Sequence, residues 1–314
     1  PLSVVSITPA VAGPFDVGTV VVQEALRLDP VTGVVRVDGN SSDPIPHILA
    51  GIPLKIRDLR VYVDRPEFTL TPTSCDPMAT TADVFGSGLD VFNVADDVPV
   101  ALSARYQAAA CGRLGYKPRL KIHLAAKRST RGAFPRLRGV FRPRAGDANT
   151  DRISVVLPGS ELLENAHFRT ICTRVQFAAD GGLGGGCPKG AIYGKVTAWT
   201  PLLEQPLTGP VYLRSSNHQL PDMVLVLKGL VDIESAGRID SIGGRIRATF
   251  ENVPDAPLTK VVLNMQGGKK GLLVNSTDIC QGVHRARAQL IGHNGKLHVA
   301  TPKVTAKCKG KRRR

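Results

Sequence analysis

The segment Arg169–Arg214 has the sequence RTICTRVQFAADGGLGGGCPKGAIYGKVTAWTPLLEQPLTGPVYLR. Two cysteines, Cys172 and Cys187, enclose a glycine-rich loop, and two strand-like segments follow with a proline-punctuated turn between them. β-Branched and aromatic residues between Gly and Pro breakers are typical of short strands joined by turns. This segment therefore predicts β-hairpins tied by a disulfide, and the rest of the chain varies the same pattern.

The composition of the 314-residue chain also favours an all-β fold. Glycine (32 residues) and proline (23 residues) divide it into short pieces, and no segment shows a long helical period. The segment Glu161–His167 (ELLENAH) alone predicts a short helix. The Gly243-Gly244 pair predicts the turn of a β-hairpin. Since aromatic residues make up only 5% of the chain, we expect an aliphatic core within tandem sandwich-like β domains.

The two ends of the chain share a divergent internal repeat. Setting Thr8 on Thr200 aligns two prolines and a later glycine in each copy. Downstream, an apolar strand and a polar turn precede Cys75 in one copy and Cys280 in the other. Such periods are typical of tandem arrays. The predicted divisions are 1–115 for the first β unit, 116–199 for a central β segment, and 200–314 for the second unit with a basic tail.

All six cysteines are expected to form disulfides, because no C-x-x-C pair or Cys/His cluster has the spacing of zinc ligands. Six cysteines allow many connectivities. The repeat favours sequential pairing, in which each unit closes its own loop: Cys75–Cys111, Cys172–Cys187 and Cys280–Cys308. Disulfides are typical of oxidising compartments, so an extracellular or cell-surface location is predicted. No apolar run approaches the roughly 18 residues of a membrane helix, and no membrane span is expected.

The net charge of +15 is unevenly distributed. No acidic residue occurs between Asp97 and Asp147, where basic residues are dense. In Arg119–Leu124 (RLKIHL) basic and apolar residues alternate, which predicts a strand with one buried face and one solvated basic face. The candidate polyanion-binding residues are Arg119, Lys121, Lys127, Arg128, Arg131, Arg136, Arg138, Arg142 and Arg144.

Anionic cell-wall glycans are the expected partners of this basic region. Few aromatic residues, no recognised nucleic-acid module and an extracellular location argue against nucleic acid. A second interpretation needs no ligand, because basic outer faces also discourage stray pairing between strand edges.

The sequence contains no catalytic, metal or cofactor signature. Gly-x-Ser-x-Gly and His-Glu-x-x-His motifs are absent, and disulfide formation by every cysteine removes a thiol nucleophile. The loop Gln266–Gly271 (QGGKKG) lacks the end of a P-loop and predicts a hairpin tip. Trp199, the sole tryptophan, aligns with Ile7 and is expected in the core. No enzymatic activity and no cofactor are therefore predicted, and a hydrolase on a β scaffold is only the third hypothesis.

Three motifs together carry a resemblance to a known family. They are CTRVQF…CPKGAIYG from Cys172, TPLLEQPLTGPVYLRSSNHQLPD from Thr200, and VPDAPLTKVVLNMQGGKKGLLVNSTDIC from Val253. The chain resembles repeats in large secreted proteins of actinobacteria, and the resemblance covers nearly its whole length. It implies disulfide-linked β modules in tandem, and it supplies no activity, cofactor or catalytic residue.

Two functions follow from these observations. The first is a secreted structural or matrix protein that self-associates, for example as a fibre subunit. The Cys-Pro hairpin that precedes the second copy is missing before the first, so the strand Leu2–Ile7 could pair with another subunit's open edge or remain an ordinary terminal strand. The candidate assembly residues are Leu2, Val4, Val5 and Ile7. The second function is a binding module for anionic cell-wall polymer or polysaccharide.

Overall fold

The computed structural model describes residues 2–43, 45–46, 48–54, 58–60, 62, 70–85, 98–125 and 129–308. They form two compact units, Pro1–Asp29 with Val34–Ala109 and Pro30–Gly33 with Ala110–Arg314. The regular structure is mostly β-strand, so the prediction of an all-β fold is confirmed.

The first unit contains short antiparallel sheets. Its described strands are β1 (Leu2–Ala12), β2 (Phe15–Leu28), β3 (Val35–Asp43), β4 (Ile48–Leu49), β5 (Ile52–Pro53), β6 (Met78–Val84) and β7 (Val100–Tyr106). Strands β1, β2 and β3 pair in that order, β4 pairs with β5, and β6 pairs with β7. β1 is therefore at an edge of its three-stranded sheet.

The second unit holds fourteen of the described strands and one short helix, α1 (Arg174–Ala178). The strands are β8 (Arg119–Ala125), β9 (Arg136–Arg142), β10 (Thr150–Val156), β11 (Glu161–Leu163), β12 (Ile192–Trp199), β13 (Leu207–Arg214), β14 (Asp222–Leu227), β15 (Ile233–Ile242), β16 (Arg245–Phe250), β17 (Lys260–Met265), β18 (Leu273–Asn275), β19 (Arg287–Gly292), β20 (Leu297–Ala300) and β21 (Val304–Ala306).

Twelve of these strands form one large sheet in the order β20-β19-β10-β16-β15-β14-β13-β12-β17-β9-β8-β21. Strands β20 and β21 stand at opposite ends of this order yet follow each other directly in the chain. A bridge between Arg285 and Lys303 and a hydrogen bond from the Ala286 N–H to the Pro302 carbonyl connect the same region. The sheet therefore curls back on itself through residues 297–306.

The concave side of the curled sheet holds the aliphatic core. One cluster is built on β12 to β15, with Val196, Val211 and Leu213 fully buried. A second cluster joins β8 to the short β11–β18 pair, where Leu124 packs with Leu273. Burial of each such side chain contributes about 1.5–3 kcal/mol to stability. The two clusters therefore hold these strands together on the concave side of the sheet.

Two disulfides confirm predicted pairs, Cys172–Cys187 and Cys280–Cys308. Cys75 and Cys111 are disulfide-bonded as well, and no described cysteine is free. The Cys172–Cys187 loop packs its α1 residue Phe177 on the convex side of β13 and β14. The glycine-rich segment thus covers the sheet from outside.

Several local predictions can be checked against the strands. The Gly243-Gly244 turn between β15 and β16 has positive φ at both positions, as a tight hairpin requires. The helix predicted at Glu161–His167 is wrong: strand pairing of Glu161 with Asn275 gives β11, followed by a 3₁₀ turn. The hairpin predicted around Gln266–Gly271 is also wrong, because β17 and β18 belong to different sheets.

The predicted segments 116–199 and 200–314 contribute interleaved strands to this sheet, since β12 lies between β13 and β17. The tandem-sandwich arrangement and the three segment boundaries stay predictions.

Candidate polyanion-binding face

The basic strand predicted at Arg119–Leu124 lies in β8, and the burial of its side chains follows the predicted alternation. Ile122 and Leu124 are buried in the core, whereas Arg119 and Lys121 are exposed. The neighbouring strand β9 alternates in a similar way, with its three arginines outward and Leu137 and Phe141 inward. Both strands therefore present their cations on the convex side of the sheet.

The register of β8 and β9 places positive side chains directly opposite one another. Arg119 faces Arg142, and His123 faces Arg138. Directly opposed residues project from the same face with Cβ atoms about 4.5–5.5 Å apart. The cations are consequently neighbours both along each strand and across the pair.

Two further strands extend this surface. β9 pairs with β17, and β17 pairs with β12, so that Asn264 lies between Arg138 and Lys195. At the end of the same pairing, Lys260 is opposite Trp199. We call the convex side of β8, β9, β17 and β12 the basic face. Its basic members are Arg119, Lys121, His123, Arg136, Arg138, Arg142, Lys195 and Lys260.

Acidic partners are lacking on the basic face within the described residues. The ion pairs of the second unit involve other cations, such as Arg152 with Glu251 at 2.9 Å and Arg214 with Glu234 at 2.7 Å. The arginines and lysines of the basic face make no ion pair with a described Asp or Glu. Their positive charges therefore add to one continuous field.

The remaining predicted residues lie in different places. Arg131 is exposed in the turn between β8 and β9. The Arg144 guanidinium is 2.7 Å from a carboxylate oxygen of Asp147, which neutralises its charge locally. Lys127 and Arg128 lie outside the described residues.

The structure thus brings five predicted residues together and adds three that were not among the candidate residues. The five are Arg119, Lys121, Arg136, Arg138 and Arg142. The three added are His123, Lys195 and Lys260. The alternation in Arg119–Leu124 already placed His123 on the solvated side of its strand. Lys195 and Lys260 become part of the basic face because β12 and β17 pair with each other and β17 pairs with β9. No local sequence pattern predicts that these two lysines belong to the face.

Trp199 borders the basic face, so its expected core position is wrong. Val196 and Ala198 on β12 point into the core, and the alternation turns Trp199 outward, where it is half-buried. The Lys260 ammonium nitrogen lies 4.3 Å from the centre of the indole ring, a cation–π contact. Together with Arg142 and Thr259 these residues line a pocket of about 470 Å³.

The predicted assembly residues lie on β1 in the first unit. Their exposures are 40% for Leu2, 37% for Val4, 50% for Val5 and 67% for Ile7. β1 pairs with β2 on one side, as a terminal strand of its own sheet would, and no described strand pairs with its other side. Its eleven residues (LSVVSITPAVA) include no charged side chain.

No protein-family model matches the chain, and no curated protein matches it either. Among the described residues no group of three or more His, Cys, Asp or Glu is placed to hold a metal ion. The helices in the described ranges are too short and too polar to cross a bilayer.

Proposed function

We propose that this chain is a secreted binding protein for anionic polymers of the cell surface, with the basic face as its binding site. The observation that carries the proposal is the continuous set of cations on four adjacent strands, without a described acidic partner. The disulfides support the extracellular part of the proposal. The resemblance to secreted actinobacterial repeat proteins agrees with it.

The chemistry of the side chains suits carboxylate, sulfate and phosphate groups. A guanidinium offers parallel N–H donors that bind such groups in a bidentate manner. Adjacent strands that carry cations side by side fit an extended polymer that contacts several cations in succession. Because such binding releases counterions, its affinity should fall steeply as salt rises.

A direct test measures binding of the whole chain to dextran sulfate, with neutral dextran of the same length as control. Isothermal titration calorimetry at low and high salt gives the affinity and its salt dependence. We expect binding to dextran sulfate that weakens with salt, and no binding to dextran. Equal affinity at both salt concentrations would contradict the proposal.

Removing four charges from the basic face should weaken binding to dextran sulfate at least tenfold. The variant replaces Arg119, Lys121, Arg138 and Arg142 with glutamine, which keeps polar side chains at exposed positions. A matched variant with glutamine at Lys228, Lys269, Lys270 and Arg287 removes the same charge from exposed positions elsewhere. A similar loss in both variants would show that net charge, and not the basic face, determines binding.

A second candidate function is self-association through β1, and the absence of charge on this edge strand favours it. Edge strands usually carry charges, prolines or bulges that prevent pairing with other chains. β1 has one proline, Pro9, and a register shift between Ala10 and Val11 near its end. The segment Leu2–Thr8 has neither device and retains exposed apolar side chains. A second copy of this chain could add a strand there, which would make the protein a fibre or matrix subunit.

Lysine at two positions of β1 should abolish such association. The variant Val5→Lys with Ile7→Lys introduces two charges on one face of the edge strand, which opposes pairing with a second chain. We expect sedimentation velocity to show concentration-dependent oligomers for the natural chain and monomers for this variant. Leu202→Lys, in an exposed turn of the second unit, serves as control. A natural chain that stays monomeric at every concentration would exclude this function.

A further inference from the structure

We propose that the pocket beside Trp199 binds an acidic sugar ring, so that the polymer on the basic face is an anionic polysaccharide. This inference rests on the proposed function, because the pocket is the end of the same surface. It goes further by naming the chemical class of the repeating unit.

The backbone of Trp199 is held in place at the end of β12. The Thr259 N–H and hydroxyl both donate to the Trp199 carbonyl, at 2.9 and 3.2 Å. The Lys260 ammonium lies over the ring, and Arg142 lines the same pocket from β9. An aromatic surface and two cations therefore meet in a shallow, open depression of about 470 Å³.

These groups complement an acidic sugar better than other anionic units. A uronate or sulfated sugar has an apolar C–H face that packs against the indole beside Lys260, and a negative group at its edge that pairs with the Lys260 ammonium. A polyphosphate chain has the charge without an apolar face. Single-stranded nucleic acid stacks successive bases on several aromatic side chains, whereas the basic face offers one aromatic ring, Trp199.

Intrinsic fluorescence reports directly on this pocket, because Trp199 is the only tryptophan in the chain. The natural chain is titrated with a sulfated glycosaminoglycan, linear polyphosphate and a single-stranded DNA oligonucleotide at the same salt concentration. We expect the polysaccharide to change the intensity and position of the tryptophan emission. Polyphosphate should bind, as measured by calorimetry, without a comparable change.

The variant Trp199→Ala should lower the affinity for the glycosaminoglycan about tenfold and leave that for polyphosphate unchanged. Trp199→Phe keeps an aromatic ring and should lose less affinity for the glycosaminoglycan than Trp199→Ala. Equal glycosaminoglycan affinity in all three proteins, or a larger emission change with DNA, would overturn the inference while leaving the basic face as a binding site. Failure of every polyanion to bind would instead refute the proposed function itself. The emission measurement uses the natural chain and so does not depend on the folding of a variant.

Discussion

Replacing Glu161 with glutamine is expected to raise the free energy of unfolding by about 3 kcal/mol at about pH 8. The Glu161 side chain is fully buried, and neither carboxylate oxygen has a hydrogen-bond partner in the described structure. Burial raises its pKa to about 7. Glutamine has nearly the same shape and carries no charge, so it removes the cost of an ionised group in the interior.

The surroundings of Glu161 explain why glutamine should be accepted. Asn275 lies directly opposite on β18 and is itself 1% exposed. Its amide nitrogen donates to the carbonyls of Ser129 and Thr130. Its side-chain oxygen accepts no hydrogen bond in the described structure. A glutamine amide at position 161 brings a donor to this region, whereas an ionised carboxylate brings only acceptors.

The pH dependence of stability follows from the direction of the pKa shift. The folded chain binds the Glu161 proton more tightly than the unfolded chain, whose carboxyl has a pKa near its ordinary value of 4.5. This group therefore lowers stability as pH rises from about 4.5 to about 7, and the loss is constant above that window. The advantage of Glu161→Gln should accordingly be small below pH 4.5 and complete above pH 7.

Urea denaturation of the natural chain and of Glu161→Gln across this pH range checks the prediction. Glu204→Gln changes an exposed carboxyl in the turn between β12 and β13 and should have little effect at any pH. A stability difference that is the same at both ends of the range would mean that Glu161 does not titrate in the folded chain.

The basic face shows what the sequence can and cannot predict. The alternation in Arg119–Leu124 is a local pattern, and it correctly indicated a strand with a basic outer side. Lys195 and Lys260 became part of the face because β17 pairs with both β9 and β12. That order is set by packing between distant segments, so residue spacing along the chain does not reveal it. Trp199 was misplaced for a related reason, since strand register decides which face it occupies.

Glu161 illustrates a second limit. The composition of ELLENAH favours a helix, yet Glu161–Leu163 is a strand because β18 provides a partner. Tertiary pairing outweighs local propensity in so short a segment. The turn at Gly243-Gly244 was predictable because turn chemistry is a local signal. Two of the disulfides agree with the sequential pairing that the internal repeat favoured.

Gly184→Ala is expected to lower the free energy of unfolding by about 2–4 kcal/mol. Five consecutive residues, Asp180–Gly184, have positive φ, and at Gly184 φ is 78°. Alanine in this left-handed conformation costs about 1 kcal/mol. A Cβ at this position would also lie 2.6 Å from the buried ring of Tyr212, and such overpacking adds about 1–3 kcal/mol.

Gly182→Ala separates the two contributions. Gly182 has nearly the same φ, 77°, but a Cβ there meets no atom within 4 Å. Gly182→Ala should therefore lower the free energy of unfolding by only about 1 kcal/mol, through backbone strain. Urea denaturation under non-reducing conditions keeps the Cys172–Cys187 disulfide intact in both variants. A larger loss in Gly184→Ala would show that the glycine-rich segment is fixed by its contact with Tyr212. Equal losses would show that the Tyr212 ring moves aside and that conformation alone selects glycine.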